Sequence, residues 1–183
     1  MLSLTIEKTE LFNPKDQTFI NVNPQTIKLE HSLLSLSKWE SKWNVPFLNK
    51  SSKSIEQIMD YIEDMTITQN VDPAVYFVIQ NNAKLVEQIK NYIDAPMTAT
   101  TFSNRAPKKP NRETITAELI YYWMIAYNIP FECQKWHLNK LLTLIHVCSI
   151  KADKNAPKMS RSEILSQNRA LNEARRKALH SKG

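Results

Sequence analysis

Glycine is almost absent from this chain: Gly183, the last of 183 residues, is its single glycine. Average usage of about 7% would give roughly a dozen. Rossmann loops, phosphate-binding loops and tight two-residue hairpins depend on glycine, because it adopts positive φ angles without steric cost. A nucleotide-binding α/β fold is therefore disfavoured. A mainly helical fold, with turns made by Asn, Asp, Pro and Ser, is favoured.

Residues 1–30 alternate apolar and polar side chains, which is typical of β-strands. The apolar positions are Leu2, Leu4 and Ile6, then Ile20 and Val22, then Ile27 and Leu29, with breaks at Asn13-Pro14 and Asn23-Pro24. We predict a small antiparallel sheet with one covered face.

Residues 31–150 carry helix signals and form a predicted multi-helix body. The expected N-terminal signals are Ser32, a capping box of Ser54 with Gln57, Asp72 before Pro73, and Asn82. Residues 97–113 are predicted to be a loop, either a linker or a partner-binding segment. The predicted fold class is mainly α, with a β segment at 1–30, the body at 31–150 and a basic helical tail at 151–183.

Two apolar stripes lie between Glu118 and Ile150, separated by a turn at Asn128–Pro130. The stripes are Leu119, Ile120, Trp123, Met124 and Tyr127, then Leu138, Leu141, Leu142, Ile145 and Cys148. Their spacing predicts an αα-hairpin that holds most of the core.

The tail carries the whole net charge of +6, because residues 151–183 contain nine basic and three acidic residues. Its candidate contact residues are Arg161, Arg169, Arg175, Arg176 and Lys177. One interpretation is an arm for nucleic acid or an acidic protein surface, and the other is a solvated extension. The tail lacks aromatic residues, which disfavours single-strand binding. A capping box of Ser160 with Glu163 favours a helix that docks on a protein.

Cysteine and histidine offer the main catalytic or metal-binding candidates. Cys133 and His137 are four residues apart and are expected to share a helix face, but they lack a third group to orient a base. His146 and Cys148 diverge on a helix, which disfavours zinc. The acidic residues on a predicted solvent face are Glu56, Asp60 and Glu63. We expect no catalytic residues, metal or cofactor.

Three tryptophans, Trp39, Trp43 and Trp136, are flanked by charged or amide residues, whereas Trp123 fits a core stripe. Amphipathic aromatic residues in such positions either seal a domain edge or anchor a protein interface. These three residues are the candidate protein-interaction site. No apolar run reaches the roughly 20 residues of a membrane span, so we expect a soluble protein without a membrane partner.

Several blocks resemble small proteins from the tail-gene region of long-tailed bacteriophages and prophages, which look like tail assembly chaperones. The blocks are LEHSLLSLSKWESKW, MTITQNVDP, DAPMTATTF, IYYWMIAYNIPFECQKWHLNKLLTLI and KMSRSEILSQNRALNEARRK. The resemblance implies a non-catalytic chaperone in the cytoplasm of the bacterial host, absent from the mature virion. The implied partner is the tape-measure protein, with the tail-tube protein as a second partner and a homo-oligomer as a further expectation.

Two other functional classes stay open. A structural component, such as a head-to-tail connector or minor tail protein, would pair its N-terminal strands with a neighbour. A nucleic-acid-binding protein would use the basic tail, but this class is not favoured.

Overall fold

A computed structural model describes residues 1–13, 17–49, 51–102, 113–152 and 161–178. The chain divides into two compact units, Met1–Cys148 and Ser149–Gly183. The strands are β1 (Leu2–Ile6), β2 (Thr9–Asn13), β3 (Thr18–Val22) and β4 (Gln25–Leu29). The helices are α1 (Leu33–Trp43), α2 (Ile55–Met65), α3 (Pro73–Gln80), α4 (Ala83–Asp94), α5 (Ala117–Ala126), α6 (Leu138–Ala152) and α7 (Arg161–Ala178), with a 3₁₀ helix at Phe131–Lys135 before α6. The predicted fold class is confirmed.

The N-terminal strands are antiparallel, as predicted, and form an interrupted two-stranded ribbon. β1 pairs with β4 and β2 pairs with β3, both antiparallel. Leu2 faces Leu29 and Thr9 faces Val22, so the two ladders keep the same register across the break. The break lies beside Pro24, which has no N–H to donate to a ladder.

The two parts of the ribbon meet the core through opposite faces. Leu4 and Ile6 are buried in β1, at even positions, whereas Leu11 packs on the core from an odd position in β2. Phe12 and Phe19 therefore face outwards and are exposed. The outer edge of β4 is covered by the segment after α2, where the N–H of Ile67 donates to Lys28 O.

The predicted helix starts are confirmed, because each is a local interaction. The Ser32 and Asp72 side chains accept hydrogen bonds from the first turns of α1 and α3, and Asn82 does so for α4. Ser54 and Gln57 make the reciprocal capping box of α2. Asparagine takes the place of glycine at left-handed positions: Asn44, Asn70 and Asn128 have positive φ.

Two apolar clusters share α1. The first contains fourteen buried residues: Trp39 of α1 and thirteen from the ribbon, α2, α3 and α4. The second contains ten, including Leu33 and Leu36 of α1 and the inner faces of α5 and α6. The prediction that the 118–150 segment holds most of the core is therefore wrong, since the short helices and the ribbon bury more residues.

The second unit contains α7, and residues 97–102 of the first unit form neither helix nor strand. The rest of the predicted loop to residue 112 and the predicted Ser160–Glu163 capping box lie outside the described residues. Within the described part of the chain, no helix combines the length and apolar character needed to cross a bilayer.

Candidate partner-binding groove

Trp39 is a core residue, so its prediction as an interaction residue is wrong. Its side chain is 1% exposed, and its indole Nε1–H donates to Gln57 O at 2.7 Å. The ring lies edge-on to Phe47, with centroids 5.1 Å apart. Its charged neighbours misled the sequence analysis, because Lys38 is exposed whereas Glu40 turns inwards to bind backbone N–H groups.

The structure places Trp43 and Trp136 differently. Trp43 is partly buried against the first cluster, 6.3 Å from the Trp39 ring, which fits the sealing interpretation. Trp136 follows the 3₁₀ helix, is 38% exposed and lies under the Lys140 ammonium at 4.4 Å. Trp136 is therefore the member of the predicted set with a surface available to a partner.

An apolar groove lies between α2 and α4, and we call it the α2–α4 groove. Its volume is about 210 Å³. Its walls are apolar side chains and its rim holds two lysines: Phe47, Lys53, Ile58, Tyr61, Ile62, Val86, Ile89, Lys90 and Ile93. Ile58 is 44% exposed and Val86 is 36% exposed, so the groove opens to solvent.

The groove exists because the apolar stripe of α2 extends beyond what the body covers. Ile62 and Met65, in the C-terminal half of α2, are buried, but Ile55 and Ile58 near its start are exposed. An apolar helix face that remains open is typical of a partner-binding surface.

The rim of the groove is basic. Lys53 Nζ lies 4.7 Å above the Phe47 ring centroid, and partial burial lowers the pKa of this lysine. Lys90 lies on α4 across the groove and is exposed. No carboxylate among the described residues forms an ion pair with either lysine. A partner with acidic residues beside an apolar face would complement this rim.

Two buried histidines lie behind the groove wall. His31 Nδ1 is 2.5 Å from the Tyr61 hydroxyl, and its ring centroid is 5.1 Å from that of His137. His137 Nε2–H donates to Tyr92 O at 3.0 Å. Burial, with a smaller contribution from His137, lowers the pKa of His31 to about 4, and burial also lowers the pKa of His137. Both histidines are therefore neutral near pH 7.

The prediction that Cys133 and His137 share a helix face is wrong, whereas His146 and Cys148 lie two residues apart in the continuous helix α6, as predicted. Cys133 lies in the 3₁₀ helix and His137 precedes α6, so the two do not share a helix face. Cys133 belongs to the second cluster, while His146 lies against the Phe102 ring with centroids 4.2 Å apart. Among the described residues, no three His, Cys, Asp or Glu side chains surround a common point.

The acidic residues of α2 are partly engaged in the fold. Asp60 forms an ion pair with Lys42 at 2.5 Å and is 19% exposed, so its prediction as a fully solvated residue is wrong. Glu56 and Glu63 are exposed, as expected.

The basic-tail residues belong to α7. Arg169 and Arg176 have exposed side chains. The side chains of Arg161, Arg175 and Lys177 lie outside what the structure describes.

Phe47, Lys53 and the groove were not predicted from the sequence. Phe47 and Lys53 lie between helices, where periodicity carries no information, and the groove forms only when α2 and α4 pack together. One available signal was the apolar Phe47 directly after Pro46. Comparison of the chain with protein-family models, curated proteins and solved structures gave no match.

Proposed function

We propose that this protein is a non-catalytic bacteriophage tail assembly chaperone that binds the tape-measure protein during tail morphogenesis. The resemblance of its sequence blocks motivates the identity of the partner. The α2–α4 groove is the observation that carries the binding function. It offers apolar walls, an opening to solvent and a basic rim on a folded body.

The groove fits a helical client better than an extended one. A helix-in-groove complex places residues at i, i+3 or i+4 and i+7 of an amphipathic helix against apolar walls. Lys53 and Lys90 would pair with acidic residues beside that apolar stripe. The tape-measure protein, a very long helical chain with apolar surface, would supply such helices.

Co-expression with tape-measure fragments tests the proposal. We expect the full chain to keep a helical fragment soluble and to co-purify with it. Ile58→Asp places a charge in the groove and is expected to weaken the complex at least tenfold, since burial of one aliphatic side chain contributes about 1.5–3 kcal/mol.

Ile125→Asp is the matched control. Ile125 lies on α5 and is 61% exposed, and it does not line the groove. It should leave binding unchanged. If circular dichroism shows both variants to be folded and both weaken client binding equally, the groove is not the binding site.

The competing class is a structural tail or connector component. It is supported by the β2–β3 part of the ribbon, which pairs with no third strand among the described residues. Edge pairing could then join it to a neighbour. Stable retention of the protein in purified virions would favour this class, whereas its absence from virions would favour the chaperone.

A further inference from the structure

The Phe12–Phe19 pair is an exposed aromatic surface with no cover in the described structure. The two residues face each other across β2 and β3, with ring centroids 5.3 Å apart. Phe12 is 52% exposed and Phe19 is 64% exposed. An aromatic pair near the end of a narrow ribbon can reach into a concave surface, because no other described part of the chain covers the two rings.

The α2–α4 groove matches one of these rings in size. A protein cavity of about 150 Å³ lined by aliphatic and aromatic side chains takes up benzene. The groove volume of about 210 Å³ is therefore large enough for one phenyl ring. The second ring of the pair would pack on the groove edge, where Ile58 and Val86 are exposed.

Charge complements this fit. Glu10 lies two residues before Phe12 on the same ribbon face and is exposed. Two strand residues span about 6.6 Å, so its carboxylate accompanies the Phe12 ring to the rim of a cavity. The groove rim offers Lys53 and Lys90, and neither has a carboxylate partner among the described residues.

We propose that the Phe12–Phe19 pair of one copy docks in the α2–α4 groove of a second copy. The pair is exposed within a single chain and so does not occupy its own groove. The two surfaces differ, so two copies that exchange ribbons reciprocally form a closed two-fold dimer, whereas a head-to-tail contact extends from copy to copy. Self-association would then protect the groove from unspecific apolar partners.

One consequence rests on the proposed function: a client helix and the ribbon of a second copy would compete for one groove. The self-association itself does not need that function. An experiment can therefore contradict the self-association without contradicting the proposed chaperone function, and the reverse.

Sedimentation velocity of the full chain across a concentration series tests the self-association. The wild-type chain is expected to associate, and Phe12→Ala with Phe19→Ala to raise the dissociation constant at least tenfold through lost apolar burial. Phe77→Ala, which removes a 42% exposed aromatic residue outside both surfaces, is the control and should associate like wild type. A wild-type chain that stays monomeric up to about 1 mM, the weak limit of specific binding, overturns the proposal.

Charge reversal gives a second test that does not depend on the aromatic variants folding. Glu10→Lys alone, and Lys53→Glu with Lys90→Glu, should each weaken association through like-charge contacts. Mixing these two proteins should restore association, because both new ribbon-to-groove contacts then pair opposite charges. Absence of restoration, with both proteins folded, overturns the proposed docking.

Client binding separates this inference from the proposed function. The Phe12→Ala, Phe19→Ala protein should bind a tape-measure fragment as well as wild type or more tightly. Loss of self-association with retained client binding supports both ideas. Retained self-association in this variant overturns the docking alone.

Discussion

The carboxylate of Glu40, in α1, accepts a hydrogen bond from the backbone N–H of Ala117, the first residue of α5, at 2.7 Å. Its other oxygen accepts from the N–H of Phe47, also at 2.7 Å. Glu40 is 8% exposed and lies at the N-terminus of α5, where the helix dipole favours a negative charge. This side chain thereby links α1, the turn that follows it and α5.

Removal of that carboxylate should destabilise the fold. We expect Glu40→Ala to lower the free energy of unfolding by about 3 kcal/mol, since the buried N–H of Ala117 and the partly buried N–H of Phe47 lose their acceptor. Glu40→Gln should cost less, because an amide oxygen still accepts one of the two bonds. Urea unfolding measures both, with the exposed Glu63→Ala as the control. Equal stability of the Glu40 and Glu63 variants would contradict this role.

The loss of stability on replacing a tryptophan with alanine should depend on how deeply that tryptophan is buried. Trp39→Ala is expected to cost about 3–5 kcal/mol, since it leaves a cavity in the first cluster. Trp136→Ala, at an exposed position, should cost less than about 1 kcal/mol and leave the helical circular dichroism signal intact. The midpoints of denaturant unfolding measure the loss of stability in both variants. A Trp136 variant as unstable as the Trp39 variant would assign Trp136 to the core.

Stability should fall as the pH is lowered from about 6.5 to 4. The pKa of His31 is about 4 in the folded protein and near 6.5 in the unfolded chain, so the unfolded chain binds more protons in that interval. The contribution of neutral His31 is fully present above the unfolded pKa and is lost as the pH falls through the folded one. The lowered pKa of His137 acts in the same direction.

The measurement is the free energy of unfolding at pH 7 and pH 4.5. His31→Gln should reduce the difference between the two values, because it removes a titrating group. Ser41→Ala changes an exposed residue without a titratable side chain and should keep the wild-type difference. A pH dependence that is unchanged in the His31 variant would assign the effect to other groups.

A chain that ends at Ala152 should fold cooperatively, because residues 1–148 form a compact unit with both clusters. We expect weak DNA binding by the full chain and by this shorter one. Strong binding by the full chain that declines steeply between roughly 50 and 200 mM salt, and is lost on truncation, would instead support the nucleic-acid arm. Fluorescence anisotropy with a short DNA duplex measures the binding of both chains at each salt concentration.

Local signals carried most of the successful sequence predictions. Helix starts at Ser32, Ser54, Asp72 and Asn82 depend on side chains within three residues of the caps, so the sequence contains them in full. The turn at Asn128 is equally local, since asparagine tolerates its positive φ of 53°.

Features that depend on distant partners were not predictable in this way. The burial of Trp39 requires Phe47 and Gln57 to close over it, against the indication of its charged neighbours. The α2–α4 groove needs two helices from separate segments.

The shared position of α1 has a consequence for folding during synthesis. The N–H of Leu138, at the start of α6, donates to His31 O at 2.7 Å, and Leu33 and Leu36 of α1 are covered by the second cluster. These contacts form only after residues far beyond α4 have been synthesised and have emerged from the ribosome. Because synthesis adds about 5–20 residues per second, the apolar face of α1 should stay uncovered for several seconds on every nascent chain.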